Sequence, residues 1–198
     1  MIRELSRPYP SRQGQPRIRA IDGAIFRHVY FADCRTCSFC MDQCCSWGVD
    51  VDAANMARLF AHAEPLEART GLPRERWFES EIRADPEFPG GRVGRTRVEN
   101  GGCVFLDRDR GGCHIHAYCL EAGLDVYGLK PLVSALFPLT FSEELLVPSR
   151  EVEEGTLVCL GPWKSLYRGS RGALEYHFGN PFVAELDRLE RFRAGPEG

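Results

Sequence analysis

Hydrophobic residues recur at helical spacing in the stretch DAANMARLFAHA (52–63). The apolar stripe consists of Met56, Leu59 and Phe60. Aspartate is a preferred N-cap residue, so the pattern predicts a helix that begins after Asp52 and that Pro65 closes. The next residues, LEARTG, predict a further helical turn that ends on Gly71.

Two other stretches carry the same spacing. Residues 74–84 predict a second short helix, and a third helix starts where Asn180 provides a cap and Pro181 opens the first turn. The inner side of the second helix has Trp77, Phe78 and Ile82, and that of the third has Phe182, Val183, Leu186, Leu189 and Phe192. The aromatic residues of the second helix are more typical of a core than of a cofactor site.

Strand patterns are short and interrupted by turns. Residues 24–31, AIFRHVYF, predict a strand that leads into a cysteine-rich run. Residues 92–116 predict strands broken by turns at 100–102 and 110–112, each of which contains a Gly-Gly pair. The first 23 residues are rich in Pro, Gly and Arg and predict an irregular arm. Together these elements predict a mixed α+β fold.

Composition narrows the function classes. The 198 residues are 43% hydrophobic, which is enough for a core and typical of one domain of ordinary size. The formal net charge of -3 gives no general attraction to nucleic acid or membrane surfaces. The N-terminal residues lack the apolar segment of a secretory signal, and no apolar run approaches the length of a membrane span. We therefore expect a cytoplasmic protein whose partner, if it has one, is a protein or peptide; the oligomeric state stays open.

Nine cysteines dominate the candidate chemistry. Five lie in the run CRTCSFCMDQCC, at Cys34, Cys37, Cys40, Cys44 and Cys45. The other four are Cys103, Cys113, Cys119 and Cys159. Cytosolic thiols are held reduced, and an odd number cannot pair completely. The count therefore favours metal binding or catalysis over a disulfide framework.

The spacing of these cysteines points to metal. The run supplies overlapping Cys-x-x-Cys pairs, which bring two thiolates to one ion. Cys103 and Cys113 each follow a Gly-Gly pair, and such glycines let backbone amides turn toward thiolate sulfurs. All nine cysteines are thus candidate metal ligands, and we predict that the run and the 103–119 segment meet around metal. Eight thiolates would fill two four-coordinate sites, whereas one cluster would take four.

The kind of metal follows from the ligand types. Cysteines outnumber the five histidines, which favours an iron–sulfur cluster, 4Fe–4S first, over a zinc or iron ion. His116 lies three residues after Cys113, but alternation along a strand would place the two on opposite faces. We therefore favour a structural role for His116 over metal ligation. Adjacent residues such as Cys44 and Cys45 point in different directions, so one of them can pack in the core.

The order of these motifs resembles a known family. After the run come Cys103-Val-Phe-Leu, Gly112-Cys113-His-Ile-His116, and Lys130-Pro131 ahead of Phe137-Pro138. This arrangement, over residues 34–140, is similar to the YkgJ-like cysteine-cluster family, described as a zinc- or iron-chelating domain with a CxxCxxCC signature. The cysteine-rich part of flagellin lysine methylases is similar at a greater distance, and that resemblance implies an iron–sulfur cluster.

Two departures from the family pattern concern the ligand set. The run is one residue longer than the usual signature, and Ser134 stands where the family has a cysteine in KPxxCxxFP. A serine hydroxyl is a poor replacement for a thiolate on zinc or iron. Cys119 and Cys159 are the candidates to supply the missing ligand.

Metal ligation completes the fold prediction. We expect a small, irregular, metal-stapled α+β domain with short strands and peripheral helices. It divides into an irregular arm (1–23), a cysteine-rich metal-binding domain (24–160) and a helical C-terminal extension (161–198) packed on that domain. Because the elements between the cysteines are short, ligation must offset part of their ordering entropy.

Three functions fit this sequence. The first is an iron–sulfur, zinc or iron protein whose centre supports the fold, electron transfer or partner binding. The second is a metal-dependent protein- or peptide-modifying enzyme, methylase-like or redox, which rests on the resemblance. The third is a metal-handling protein that passes on a labile ion. The sequence has no GxSxG elbow, P-loop or GxGxxG fingerprint, so catalytic residues stay unassigned.

Overall fold

The computed structural model describes residues 1–32, 37, 39–40 and 42–193, which form an α+β fold as predicted. The strands are β1 (Ile2–Pro10), β2 (Arg17–Asp22), β3 (Val29–Tyr30), β4 (Asp50–Asp52), β5 (Arg83–Ala84), β6 (Arg92–Arg95), β7 (Val98–Glu99), β8 (Gly102–Cys103), β9 (Leu139–Ser142), β10 (Leu145–Pro148) and β11 (Lys164–Ser165). The helices are α1 (Ala53–Ala61), α2 (Ala63–Thr70), α3 (His114–Glu121), α4 (Val126–Leu129), α5 (Leu132–Leu136), α6 (Arg150–Glu153), α7 (Leu166–Phe178) and α8 (Asn180–Arg193).

The N-terminal residues form a hairpin in the largest sheet. β1 pairs antiparallel with β2, β2 runs parallel to β10, and β10 pairs antiparallel with β9. The expectation of an irregular arm over residues 1–23 is therefore wrong. Proline is tolerated because β1 is an edge strand. Leu5 and Tyr9 are buried, while Arg7 between them remains exposed. The conformation of residues 1–23 therefore depends on their place in the sheet rather than on their Pro, Gly and Arg content.

A buried carboxylate fixes the hairpin to the C-terminal helix. Glu185 on α8 accepts hydrogen bonds from the backbone N–H of Ser6 at 2.6 Å, the Ser6 hydroxyl at 2.7 Å and the Tyr9 hydroxyl at 2.6 Å. Although burial opposes the charge, these hydrogen bonds keep the pKa of Glu185 below its usual value. The hairpin is thus part of the folded core.

Two hydrophobic cores share the chain. The first joins the four-stranded sheet to α7 and α8; its members include Ile18, Ile21, Leu146, Leu166, Leu174, Phe182 and Leu186. The second joins α1, α2 and α3; its members include Val51, Leu59, Leu66, Trp77, Phe105, Ile115 and Cys119. Cys159 packs against the first core, whereas Cys103 and Cys113 pack against the second. The cysteines outside the run are therefore divided between the two cores.

The predicted helix after Asp52 is confirmed. The Asp52 carboxylate accepts the backbone N–H of Asn55 at 2.7 Å, and Gly71 ends α2 in the left-handed region at φ 68°. Pro65 lies within α2 and does not close the preceding helix. It occupies the third position, in the first turn, where a helix needs no N–H donor.

The helix predicted over residues 74–84 is wrong. Only Arg74–Arg76 form a short 3-10 turn, and the following residues run beside residues 92–97 instead. The N–H of Glu79 bonds the carbonyl of Arg95, and the N–H of Arg97 bonds the carbonyl of Trp77, both at 2.9 Å. Trp77 is buried as expected, but Ile82 is exposed. Tertiary strand pairing overrides the local helical pattern here.

Three other predictions can be compared with the structure. α8 begins at Asn180 and buries the expected stripe up to Leu186, although Phe192 is exposed. The strand predicted over residues 24–31 is reduced to β3, because residues 23–26 form a 3-10 turn capped by Asp22. Within the residues that the structure describes, no helix is long and apolar enough to cross a bilayer.

Candidate metal centre

The second half of the cysteine run folds into a tight turn. Residues 43–45 form a single 3-10 turn, and Asp42 precedes it in the left-handed region at φ 53°. The Sγ atoms of Cys44 and Cys45 are 4.0 Å apart, in hydrogen-bonding contact. Cys44 is exposed and Cys45 is half-buried. The turn therefore presents one thiol to solvent and the next to the protein interior.

Cys45 lies where the run meets the 103–119 segment. Its pKa is raised, first by the hydrogen bond with Cys44, then by burial and by the negative charges of Cys44, Cys113 and Cys103. Cys103 ends β8, and its Sγ donates to the hydroxyl of Thr96 at 3.4 Å. Burial also raises the pKa of Cys103. The two segments thus bring their thiols within electrostatic range, while the metal between them stays a prediction.

Cys113 is held by a glycine turn at the start of α3. An isolated bridge links Cys113 to Leu106, and the N–H of Asp107 bonds the carbonyl of Gly112 at 2.9 Å. Gly111 and Gly112 have φ values of 75° and 84°, so this turn needs residues without a Cβ. Because Cys113 is the N-cap residue, it lies at the helix end that attracts negative charge.

The same turn contacts the cysteine run. A Cβ on Gly111 would lie 3.3 Å from Oδ2 of Asp42, the residue that begins the 42–45 turn. The turn before Cys113 and the 42–45 turn are therefore neighbours at Gly111, whereas their meeting around metal stays a prediction. Glycine matters here because it permits both the backbone conformation and the close approach.

The other side of the run contacts the loop before Cys159. The side chain of Gln43 donates from Nε2 to the carbonyl of Thr156 and accepts at Oε1 from the N–H of Val158, both at 3.0 Å. The carbonyl of Cys159 accepts the N–H of Phe31 at 2.8 Å. The pKa of Cys159 is raised by burial and by the neighbouring thiolates, Cys44 first.

The remaining cysteines differ in their surroundings. Cys37 and Cys40 are half-buried, and burial together with a hydrogen bond to the Cys37 thiol raises the pKa of Cys40 to about 12. Cys119 is fully buried in the second core, and burial raises its pKa to about 11. Cys119 therefore has the surroundings of a core residue. Cys34 lies outside the described residues.

The pKa of Cys44 shifts in the opposite direction to that of Cys45. A hydrogen bond from Cys45 and the positive charge of Lys130 lower its pKa to about 7, against the opposing effect of burial. Lys130 directly follows α4. At neutral pH Cys44 is therefore partly thiolate while Cys45 keeps its proton.

The thiols approach one another without forming a closed site. Among the described residues, no three cysteine, histidine, aspartate or glutamate side chains lie close enough together to hold a metal ion. His116 lies in α3, so the argument from strand alternation does not apply, and its role in ligation stays open. The neighbouring His114 faces Asp107, with Nδ1 3.6 Å from the carboxylate, and burial lowers its pKa.

Sequence reasoning missed two features of this site. Gln43 gave no signal beyond its place between Cys40 and Cys44. The second is an aromatic cluster, in which Phe31 packs edge-on against Phe39 and Trp163 with ring centroids 5.5 Å apart in each case. Phe39 and Trp163 stack on each other at 5.8 Å, and both are partly exposed. An apolar surface therefore borders the run.

Comparison of the chain with protein-family models, with curated proteins and with solved structures finds no match.

Proposed function

We propose that this protein is a cysteine-cluster metalloprotein that binds an iron–sulfur cluster, or a zinc or iron ion, through thiolates. The observation that carries the proposal is the contact between Asp42 and the Gly111 turn, which places Cys45 near Cys103 and Cys113. Cys103 and Cys113 pack against the second core. The resemblance of the motif order to the YkgJ-like cysteine-cluster family, which stays a prediction from the sequence, points to the same chemistry.

The donor set fits a thiophilic metal. All eight described cysteines are free thiols, and burial or neighbouring thiolates raise the pKa of several of them. A metal ion bound among these thiols would displace their protons, because its positive charge compensates the thiolate charge that burial and the neighbouring thiols oppose.

Two groups of thiols would hold the metal. The first would consist of Cys45, Cys103 and Cys113, of which the last two pack against the second core. The second would consist of Cys37, Cys40, Cys44 and Cys159, on the other side of the run. An iron–sulfur cluster bound there would supply one-electron transfer, whereas zinc would cross-link the two cores. The ionisable groups that act on Cys45 are the thiols of Cys44, Cys113 and Cys103. Because they are all thiols, we prefer an iron–sulfur cluster to a zinc or iron ion.

Anaerobic purification tests this proposal. We expect brown protein with stoichiometric iron and acid-labile sulfide, or colourless protein with stoichiometric zinc. Cys45→Ala and Cys103→Ala should lose the metal, whereas Cys119→Ala, which removes a core thiol, should retain it. Protein that binds neither iron, sulfide nor zinc under reducing, metal-supplemented conditions would contradict the proposal.

A metal-handling role is the second candidate, and the exposure of Cys44 favours it. A ligand at the surface can take part in transfer to an acceptor without unfolding of the site. Rapid and complete loss of metal to a competing chelator, with the fold unchanged, would distinguish this role from a structural or electron-transfer centre.

A further inference from the structure

The side chain of Gln43 bridges two segments that carry cysteines. Gln43 lies between Cys40 and Cys44, and its amide makes hydrogen bonds in both directions to the 156–158 loop. Both bonds are 3.0 Å long, one donated from Nε2 and one accepted at Oε1. A side-chain amide that both donates and accepts can pair with a backbone segment as another backbone would. The two hydrogen bonds together fix the distance and the orientation of the loop relative to Gln43.

Hydrogen bonds hold the loop on both sides of Cys159. On one side, the N–H of Val158 is bound by Gln43. On the other side, the Cys159 carbonyl accepts the N–H of Phe31, and the N–H of Gly161 bonds the carbonyl of Val29. The loop therefore runs between β3, which leads into the cysteine run, and the 42–45 turn.

Cys119 and Cys159 differ as candidates for a distant ligand. Cys119 lies on α3 with no exposed surface, surrounded by the second core. Cys159 is half-buried, and its chain neighbour Val158 is hydrogen-bonded to Gln43 of the run. Moving Cys119 toward the cysteine run would disrupt a packed core, whereas Cys159 already lies beside the run.

We infer that Cys159, and not Cys119, is the thiolate that the distal chain adds to the metal site, and that Gln43 is the residue that positions it. This inference rests on the proposed function. Holding the loop in place before the metal arrives reduces the ordering entropy lost on binding. Gln43 acts through Cys159 and does not itself contact the metal.

The test uses reduced, full-length protein, zinc ions alone as the probe, and alkylation by iodoacetamide followed residue by residue with mass spectrometry. In the wild-type protein, zinc should protect Cys159 together with Cys37, Cys40 and Cys44, and should protect Cys45 together with Cys103 and Cys113. Cys159→Ser should weaken zinc binding, and Cys119→Ala should leave it unchanged. These comparisons separate the two candidate ligands without reference to any activity.

Gln43→Met tests the positioning role, because it keeps the length of the side chain and removes both hydrogen bonds. We expect zinc affinity to fall by about 10-fold, as for other residues that orient a ligand, with the loss of protection confined to Cys159. Gln43→Glu keeps the acceptor for Val158 and should restore part of the protection. Gln13→Ala, an exposed glutamine in the N-terminal hairpin, is the matched control and should behave as wild type. The metal-free variants should melt at the wild-type temperature.

The outcomes separate this inference from the proposed function. If zinc protects Cys103 and Cys113 but not Cys159 in the wild-type protein, the inference is wrong and the proposed function stands. Full protection of Cys159 in Gln43→Met would refute the positioning role. If zinc protects no cysteine, the proposed function fails, and the inference fails with it.

Discussion

A buried histidine should make the stability of this protein depend on pH. His177 on α7 is 4% exposed, and its Nε2 has no hydrogen-bond partner within the described part of the chain. Burial and the positive charges of Arg12 and Arg58 lower its pKa from 6.5 to about 4, with Asp125 acting weakly in the opposite direction. The folded protein therefore favours the neutral imidazole.

The sign and size of the effect follow from linkage. Between pH 6.5 and about 4, the unfolded chain takes up a proton at His177 that the folded chain does not. The free energy of unfolding is thus highest above pH 6.5 and falls as the pH drops through this window. The loss is about 1.4 kcal/mol per pH unit and roughly 3 kcal/mol in total.

Urea unfolding followed by tryptophan fluorescence, at several pH values between 7 and 4, measures this loss. The comparison is between wild type and His177→Gln, because other titrating groups, including the thiols, are common to both and cancel in the difference. His28→Gln, at a more exposed histidine, is the matched control and should keep the wild-type pH dependence. Equal pH dependence in wild type and His177→Gln would refute the reasoning.

Three further predictions concern the fold and its connection to the site. Glu185→Ala removes the acceptor of three hydrogen bonds and should lower the free energy of unfolding by roughly 2–3 kcal/mol in urea, whereas Glu4→Ala on the exposed side of β1 should have little effect. Gly48→Ala should lower the free energy of unfolding by about 2 kcal/mol, because Gly48 has φ 69° and a Cβ there would lie 2.7 Å from the carbonyl oxygen of Thr96. It should also reduce the metal content, because the hydroxyl of Thr96 accepts the hydrogen bond from Cys103. Gly14→Ala, at φ 89° in open space, adds backbone strain alone and should leave metal content unchanged. Chelator treatment should broaden the thermal unfolding transition seen by calorimetry, and an equally sharp transition at the same temperature would show that the metal is not structural.

The parts of the fold that the sequence predicted are those in which local signals act alone. The helix after Asp52 has its cap and its stripe within a few residues, and α8 has Asn180 and Pro181 at its start. The N-terminal hairpin could not be predicted in this way, because its sheet neighbour β10 lies more than a hundred residues away. Residues 74–84 carry a helical pattern, but pairing with residues 92–97 decides their conformation.

The candidate site likewise has some features that the sequence predicted and others that it could not. Cysteine spacing and the Gly-Gly pairs indicated Cys45, Cys103 and Cys113 as candidate ligands, because thiols in such patterns are typical of metal sites. The part played by Gln43 depends on two backbone groups of a loop 113 and 115 residues further along the chain, and no local pattern reports such a contact. The choice between Cys119 and Cys159 likewise depends on burial, which the sequence around each cysteine does not reveal.

X-ray absorption at the metal K-edge tests the central claim most directly. The protein would be purified anaerobically, or reconstituted with iron and sulfide or with zinc, and the first coordination shell determined. We predict a shell of sulfur atoms, at about 2.3 Å for zinc, that is lost in Cys45→Ala and Cys103→Ala. A first shell of oxygen and nitrogen atoms, or the same sulfur shell in both variants, would contradict the account.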